Sequence, residues 1–167
     1  MGMKVLCFGS LNIDYTYKVP HFVKKGETLA SERLQVFGGG KGLNQSVALA
    51  KAGTEVYHAG SIGHNCILLY GGANQAITRE QVDEVMSHFE SGDYLVLQNE
   101  INELGYIVEK AHEKGMIIVL NPSPMNEKIL ALPLDVINYF ILNEVEAAQI
   151  LGKEDKGEES WEQIADD

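Results

Sequence analysis

Short apolar runs rich in β-formers alternate with segments of helical period along most of this chain, and that rhythm leaves few folds open. "KVLCFG" (4–9) reads as a buried strand, as do "EVYHAGSI" (55–62), "YLVLQ" (94–98), "MIIVLN" (116–121) and "VINYFIL" (136–142). Between them, Gly42 to Ala52 reads as a helix with Leu43, Val47 and Ala50 on one face and Gly53 to end it. A second helix starts at Thr78, its N-cap, carries Val82, Val85, Met86 and Phe89 at i, i+3, i+4 and i+7, and ends at Gly92. A third carries Leu104, Ile107, Val108 and Ala111 and closes at Gly115. A short helix near 126–131 and one opening at "NEVEAAQIL" before Gly152 complete the series. Alternation of this kind implies βαβ units, right-handed crossovers and a mostly parallel sheet with helices on both faces. Two amphipathic strands, "YTYKV" (15–19) and "ERLQVF" (32–37), interrupt it and predict a small antiparallel flap over 15–37. Ligands of such sheets bind at the C-terminal ends of the strands, which directs attention to 9–14, 38–44, 98–102, 121–125 and 143–146.

Charge and composition remove several classes of function. A net charge of −11 argues against nucleic acid as a partner, because phosphates need clustered Lys and Arg. With 45% hydrophobic and 22% charged residues, the chain reads as a globular protein rather than a disordered one. No apolar run approaches the ~20 residues that span a bilayer, and "MGMKVLCFGS" lacks the h-region of a signal peptide, so a cytoplasmic protein without membrane contact is expected. Leu6 stands where a myristoylation signal needs Ser or Thr. Cys7 and Cys66 sit in apolar runs and read as buried reduced thiols. His21, His58, His64, His88 and His112 show no metal-ligand spacing, and Asp93 in "SGDY" reads as a turn residue.

The loop "GGGKGLNQS" (38–46) stands before the first helix. It is not a Walker A loop, because Gly42 follows Lys41 where a magnesium-binding hydroxyl is required. Nor is it a dinucleotide fingerprint: counted from Gly38 or from Gly40, the third glycine position holds Leu43 or Gln45. The glycines serve either a strained turn or the close approach of a ligand at a helix N-terminus. With Lys41 and Asn44 beside them, the ligand they suit is polyhydroxylated. Asn12 and Asp14 at the end of the first strand fit an Asx turn equally well, Lys41 a solvated surface position, and Asn143 with Glu146 a helix cap and its capping-box partner.

Taken with "GSLNIDYTY", the glycine loop resembles the ribokinase family of carbohydrate kinases, also called the PfkB family. "GGAN" (71–74), "LQNE" (97–100), "NPSP" (121–124) and "NEVE" (143–146) follow in the family's order, so the resemblance covers nearly the whole chain. It implies a ribokinase-like three-layer α/β/α fold with a mostly parallel sheet and a small antiparallel flap or lid, here incomplete. It implies transfer of the γ-phosphate of Mg-ATP to the primary hydroxyl of a pentose, ribose foremost. Carried over residue by residue, Asn12, Asp14, Gly40, Lys41, Asn44 and Glu100 would hold the sugar. Asn143 and Glu146 would organise Mg2+ and phosphate on the nucleotide side, without a direct metal ligand.

The chain departs from the family pattern in two places. The Gly-Ala-Gly-Asp segment, which in the family supplies the catalytic base and an anion hole, has no counterpart here; the site of a monovalent cation would lie in the same missing half. "SIGHN" also runs straight into "CILLYGGAN", so Asn65–Cys66 reads as a junction where several dozen family residues are absent. The expectation is one partial domain over 1–167 that supplies the sugar-binding half of a kinase and turns over negligibly alone. The alternative is a non-catalytic sugar-binding remnant or a half-protein. Loss of flap partners predicts an exposed apolar face at Tyr15, Val19, Leu34 and Val36, and self-association or a homodimer through it.

Overall fold

The structure, a computed structural model, describes residues 2–65 and 72–152. In chain order the elements are β1 (Val5–Phe8), β2 (Leu11–Lys18), β3 (Arg33–Gly39), α1 (Lys41–Lys51), β4 (Val56–Ala59), β5 (Ile62–Asn65), α2 (Arg79–Met86), β6 (Tyr94–Gln98), α3 (Leu104–Glu113), β7 (Ile117–Asn121), α4 (Glu127–Leu130), β8 (Tyr139–Phe140) and α5 (Glu144–Ile150). The junction at Cys66 and the segment beyond Gly152 lie outside the described residues.

Five strands form a parallel sheet in the order β4-β1-β6-β7-β8, with Val5 to Phe8 of β1 paired on one side to Val56–Ala59 and on the other to Tyr94–Leu97. Strands buried on both faces are continuous hydrophobic runs, and β1 and β6 have that composition. Leu6, Phe8, Leu95, Leu97, Ile118 and Leu120 pack on one face against Val82 and Met86 of α2, Ile107, Val108 and Ala111 of α3, and Ile129 of α4. Most of these side chains are essentially inaccessible, and each contributes roughly 1.5–3 kcal/mol for a Val-to-Phe-sized group. Val5, Cys7 and Val96 face the other way, against Leu49 of α1. Helix, sheet and helix thus form the three expected layers.

The second sheet is the flap. β2 pairs antiparallel with β3 from Asn12↔Gly39 to Lys18↔Arg33, and β5 adds to the other edge of β2 in parallel. Here the sequence reading needs correction: 55–62 is not one strand. β4 belongs to the main sheet, the chain turns at Gly60, and β5 belongs to the flap. Gly60 passes so close to the end of β1 that a Cβ there would sit 2.0 Å from the Gly9 carbonyl oxygen, so only glycine fits where the chain leaves one sheet for the other.

Two smaller corrections follow from packing. The 136–142 run yields only the two-residue strand β8, because Leu134–Val136 forms a 3₁₀ turn and both β8 residues are exposed at the sheet edge. α1 does not bury the Leu43–Val47–Ala50 face: Gly42 and Ser46 are its buried positions, and Val47 stays exposed. Small residues win because the helix presses on the backbone of β1, and a Cβ at Gly42 would meet Ser10 N at 2.6 Å and the Gly9 carbonyl carbon at 2.7 Å. Asp93 is a turn residue as read, accepting hydrogen bonds from the Lys4 and Glu90 N–H groups at 2.9 and 3.0 Å. Cys7 is a free, buried thiol, raised by burial above its ordinary pKa, while Cys66 lies outside the described residues.

Candidate functional site

Three segments converge where β1 and β6 end: the β1–β2 turn with Ser10, the first turn of α1, and Glu100 just after β6. α1 has no side chain of its own capping its N-terminus; Gly40 holds the cap position at φ 95°, which side-chain-bearing residues rarely adopt. The unpaired N–H groups of that turn are met from elsewhere. Lys41 N–H donates to Glu100 Oε2 at 3.0 Å, Gly42 N–H to Ser10 Oγ at 3.3 Å and Leu43 N–H to the Ser10 carbonyl at 3.0 Å. A carboxylate is the group a helix N-terminus prefers, so Glu100 sits where both helix and charge hold it.

Lys41 completes the cluster, its Nζ donating to Glu100 Oε1 at 2.7 Å, and Ser10 Oγ donates to Glu100 Oε2. Burial alone would raise the Glu100 carboxyl. The hydrogen bonds from Lys41 and Ser10 and the nearby ammonium outweigh it, so the pKa lies below the ordinary glutamate value of 4.5. The pair is not sealed off: the side chains of Lys41 and Glu100 keep 40% and 22% exposure, so a polar ligand can reach both.

Asn12 and Asp14 lie on β2 opposite Gly39 and Phe37 of β3, at the root of the flap. The Asp14 carboxylate lies directly over Gly39, where any Cβ would come 1.9 Å from Oδ2. Asn12 Oδ1 accepts from Asn74 Nδ2 at 2.8 Å, and its own Nδ2 lies near Gly40. Asn44, one turn into α1, is exposed. Asn12, Gly40, Lys41 and Glu100 are thus brought together, with Asp14 along the same strand. Asn143 and Glu146 form a reciprocal cap at the start of α5: Glu146 N–H donates to Asn143 Oδ1 at 2.9 Å, and Asn143 N–H to Glu146 Oε2 at 3.1 Å. The capping box among the sequence alternatives is therefore present, and it makes no contact with the Glu100 cluster in the described hydrogen bonds.

The profile described as "pfkB family carbohydrate kinase" matches residues 3–65. The ribokinase of Staphylococcus aureus (strain COL) is 31% identical to this chain, over 99% of it and 68% of that protein. The chain belongs to the pfkB family of carbohydrate kinases. Ribokinase from Haemophilus influenzae is 28% identical over 96% of the chain and 66% of its own length, so the chain spans about two thirds of the relatives it matches. Among solved structures, the ribokinase of Cryptococcus neoformans var. grubii serotype A in complex with ADP superposes with a TM-score of 0.75 at 23% identity, covering 99% of this chain and 65% of that one. Arabidopsis thaliana ribokinase complexed with ribose and ATP gives 0.74 at 21%, covering 99% and 67%, and both share the fold. The S. aureus alignment runs over 214 positions while this chain has 167 residues, so at least 47 positions have no residue here. The family profile stops matching at Asn65.

Sequence reasoning missed Ser10 and Asn74 as members of the site. Both stood inside quoted family segments, but the signal for their roles is spatial: each is at most 4% exposed and bonded to a residue about 60 or more positions away.

Proposed function

We propose that the cluster of Asn12, Asp14, Gly40, Lys41, Asn44 and Glu100 is the sugar site of a ribokinase-type kinase, and that its ligand is a pentose, ribose foremost. The observation that carries this reading is the Glu100 carboxylate, 22% exposed and held between the Lys41 ammonium and the α1 N-terminus. With Asn12 and Asp14 on β2 beside Gly39 and Gly40, it puts acceptors (Glu100, Asp14) and donors (Lys41, Asn12) around the glycines of one loop. A polyhydroxylated ligand needs that mixture, because each hydroxyl both donates and accepts. In this reading the site's contribution to catalysis is to hold the primary hydroxyl in place for phosphoryl transfer from ATP.

Asn143 and Glu146 offer one amide and one carboxylate, oxygen ligands of the type magnesium takes. Among the described residues, no group of three or more His, Cys, Asp or Glu could hold a metal ion. In this reading the two would act on magnesium through its bound water, and the ion would neutralise charge on the transferring phosphate. We assign the sugar-binding part of the kinase, a partial domain over residues 1–167, to this chain. Among the described residues no helix is long and apolar enough to cross a membrane. The exposed apolar face of the flap serves in the same reading as a self-association surface.

A panel of ligands tests the substrate class. Ribose at 100 times its Kd should raise the unfolding free energy by about 2.7 kcal/mol, visible as a higher melting temperature, with fructose and adenosine giving less. A melting temperature unmoved by any pentose at millimolar concentration would contradict the reading.

A further inference from the structure

Asn74 sits in the 3₁₀ turn Gly72–Gln75, 4% exposed, and both ends of its amide are engaged. The Leu11 backbone N–H reaches its Oδ1 at 3.3 Å, and its Nδ2 reaches Asn12 Oδ1 at 2.8 Å. Amide orientations are ordinarily ambiguous, but a backbone N–H can only donate. The atom facing Leu11 must therefore be the Asn74 oxygen, which turns the Asn74 nitrogen toward Asn12. The Asn12 atom facing that nitrogen must then be its oxygen. With Oδ1 so occupied, Asn12 turns its NH₂ toward Gly40 of the glycine loop, where a Cβ would come 3.1 Å from Nδ2.

We propose that Asn74 is a positioning residue that fixes Asn12 as a hydrogen-bond donor toward the ligand. One backbone donor on β2 thus sets, through two amides, the polarity of a side chain at the candidate sugar site. The sugar oxygen meeting Asn12 is required to accept, while Asp14 and Glu100 take the donated hydroxyl protons. The turn is held in place independently: the Asn74 carbonyl accepts from Asn102 N–H at 3.2 Å, and Gln75 Nε2 donates to the Glu100 carbonyl at 3.0 Å. The same turn thereby supports both the Asn12 side chain and the Glu100 backbone. The assignment rests on the sugar reading, and its test separates the two.

The first measurement needs no variant. In the isotope-labelled 167-residue chain, a scalar coupling across the hydrogen bond should link the Asn74 side-chain nitrogen to the Asn12 side-chain carbonyl carbon. On adding ribose, the Asn12 NH₂ resonances should shift more than those of Asn74. Asn74→Asp keeps an acceptor for Leu11 but removes the donor, so Asn12 should turn its oxygen toward the glycine loop and ribose affinity should fall about tenfold or more. A missing coupling, or a folded Asn74→Asp chain that binds ribose within twofold of the unmodified one, would overturn the proposal. A coupling present with no response to ribose would sustain the relay and overturn the sugar reading instead.

Discussion

Glu100 joins parts of the chain far apart in sequence, with Ser10 and Lys41 on one carboxylate, and its ionisation is linked to the stability of the fold. Its pKa lies below the unfolded value, so the folded state releases that proton more readily. The stabilisation is therefore present above about pH 4.5 and lost as pH falls through the lower folded value. Asp93 is held low by the Lys4 and Glu90 N–H groups against its own burial, and its share is likewise present above about pH 3.8 and lost at lower pH. The Glu100 share is isolated by comparing Glu100→Gln with the unmodified chain in urea unfolding. At pH 7 the variant should be less stable by about 1–3 kcal/mol, as when a charged partner leaves hydrogen-bonding groups unmatched. The difference should shrink toward pH 3. A constant difference across that range would show that the carboxylate charge is not what matters.

The glycine loop was legible in sequence as a ligand-approach device or a strained turn, and the structure shows the strained turn. Gly40 takes a left-handed conformation, and Gly39 leaves room for Asp14. The relay through Asn74 was not legible, because spacing along the chain carries no information about which amide atom faces a backbone donor.

At the scale of elements, α3, β6 and β7 stand where the sequence places them, because each buries one continuous apolar set; α2 starts after its Thr78 cap as expected but ends at Met86 rather than Gly92, and Phe89 joins the core from the segment that follows it. The corrections share one cause. A short apolar run does not say which sheet it joins, and 55–62 divides between two of them at Gly60. The buried face of α1 was misread for a related reason: periodicity finds bulky residues, whereas a helix packed on backbone needs small ones. Gly42→Ala tests that packing. Its Cβ would meet backbone atoms of Gly9 and Ser10 at under 3 Å, and backbone cannot swing aside as a flexible side chain can. The substitution should cost about 1–3 kcal/mol in thermal or urea unfolding, despite the higher helix propensity of alanine. A chain unchanged or stabilised would mean that α1 sits further from β1 than described.

At the scale of the whole molecule, the chain presents more apolar surface than its main core accounts for. Tyr17 and Leu34 face each other across the flap and keep 49% and 48% exposure; Val36, opposite Tyr15, keeps 56%. Val19, expected in the same patch, is instead half-buried. Apolar patches of this kind mark association surfaces, so sedimentation should show a concentration-dependent shift toward dimer, reduced by Leu34→Lys with Val36→Lys. A single monomeric species from micromolar to near-millimolar concentration would rule the flap out as that surface. On the other side of the sheet, a groove of about 520 Å³ beside α1 is lined by Val5, Leu49, Val96, Val119 and Ile141. The chain spans about two thirds of its relatives' length, and one face of its sheet is covered more fully than the other.

The reading of this chain as a sugar-binding protein requires that it hold a sugar through Asp14, Lys41 and Glu100. The most direct measurement is a calorimetric titration of D-ribose into the unmodified chain and into Asp14→Asn, each first shown to be folded. Saturable one-site binding to the unmodified chain is expected, weakened at least tenfold by removing the carboxylate charge, since hydrogen bonds to charged groups contribute about 1.5–3 kcal/mol. No heat at millimolar ribose, or equal binding by both chains, would contradict that reading.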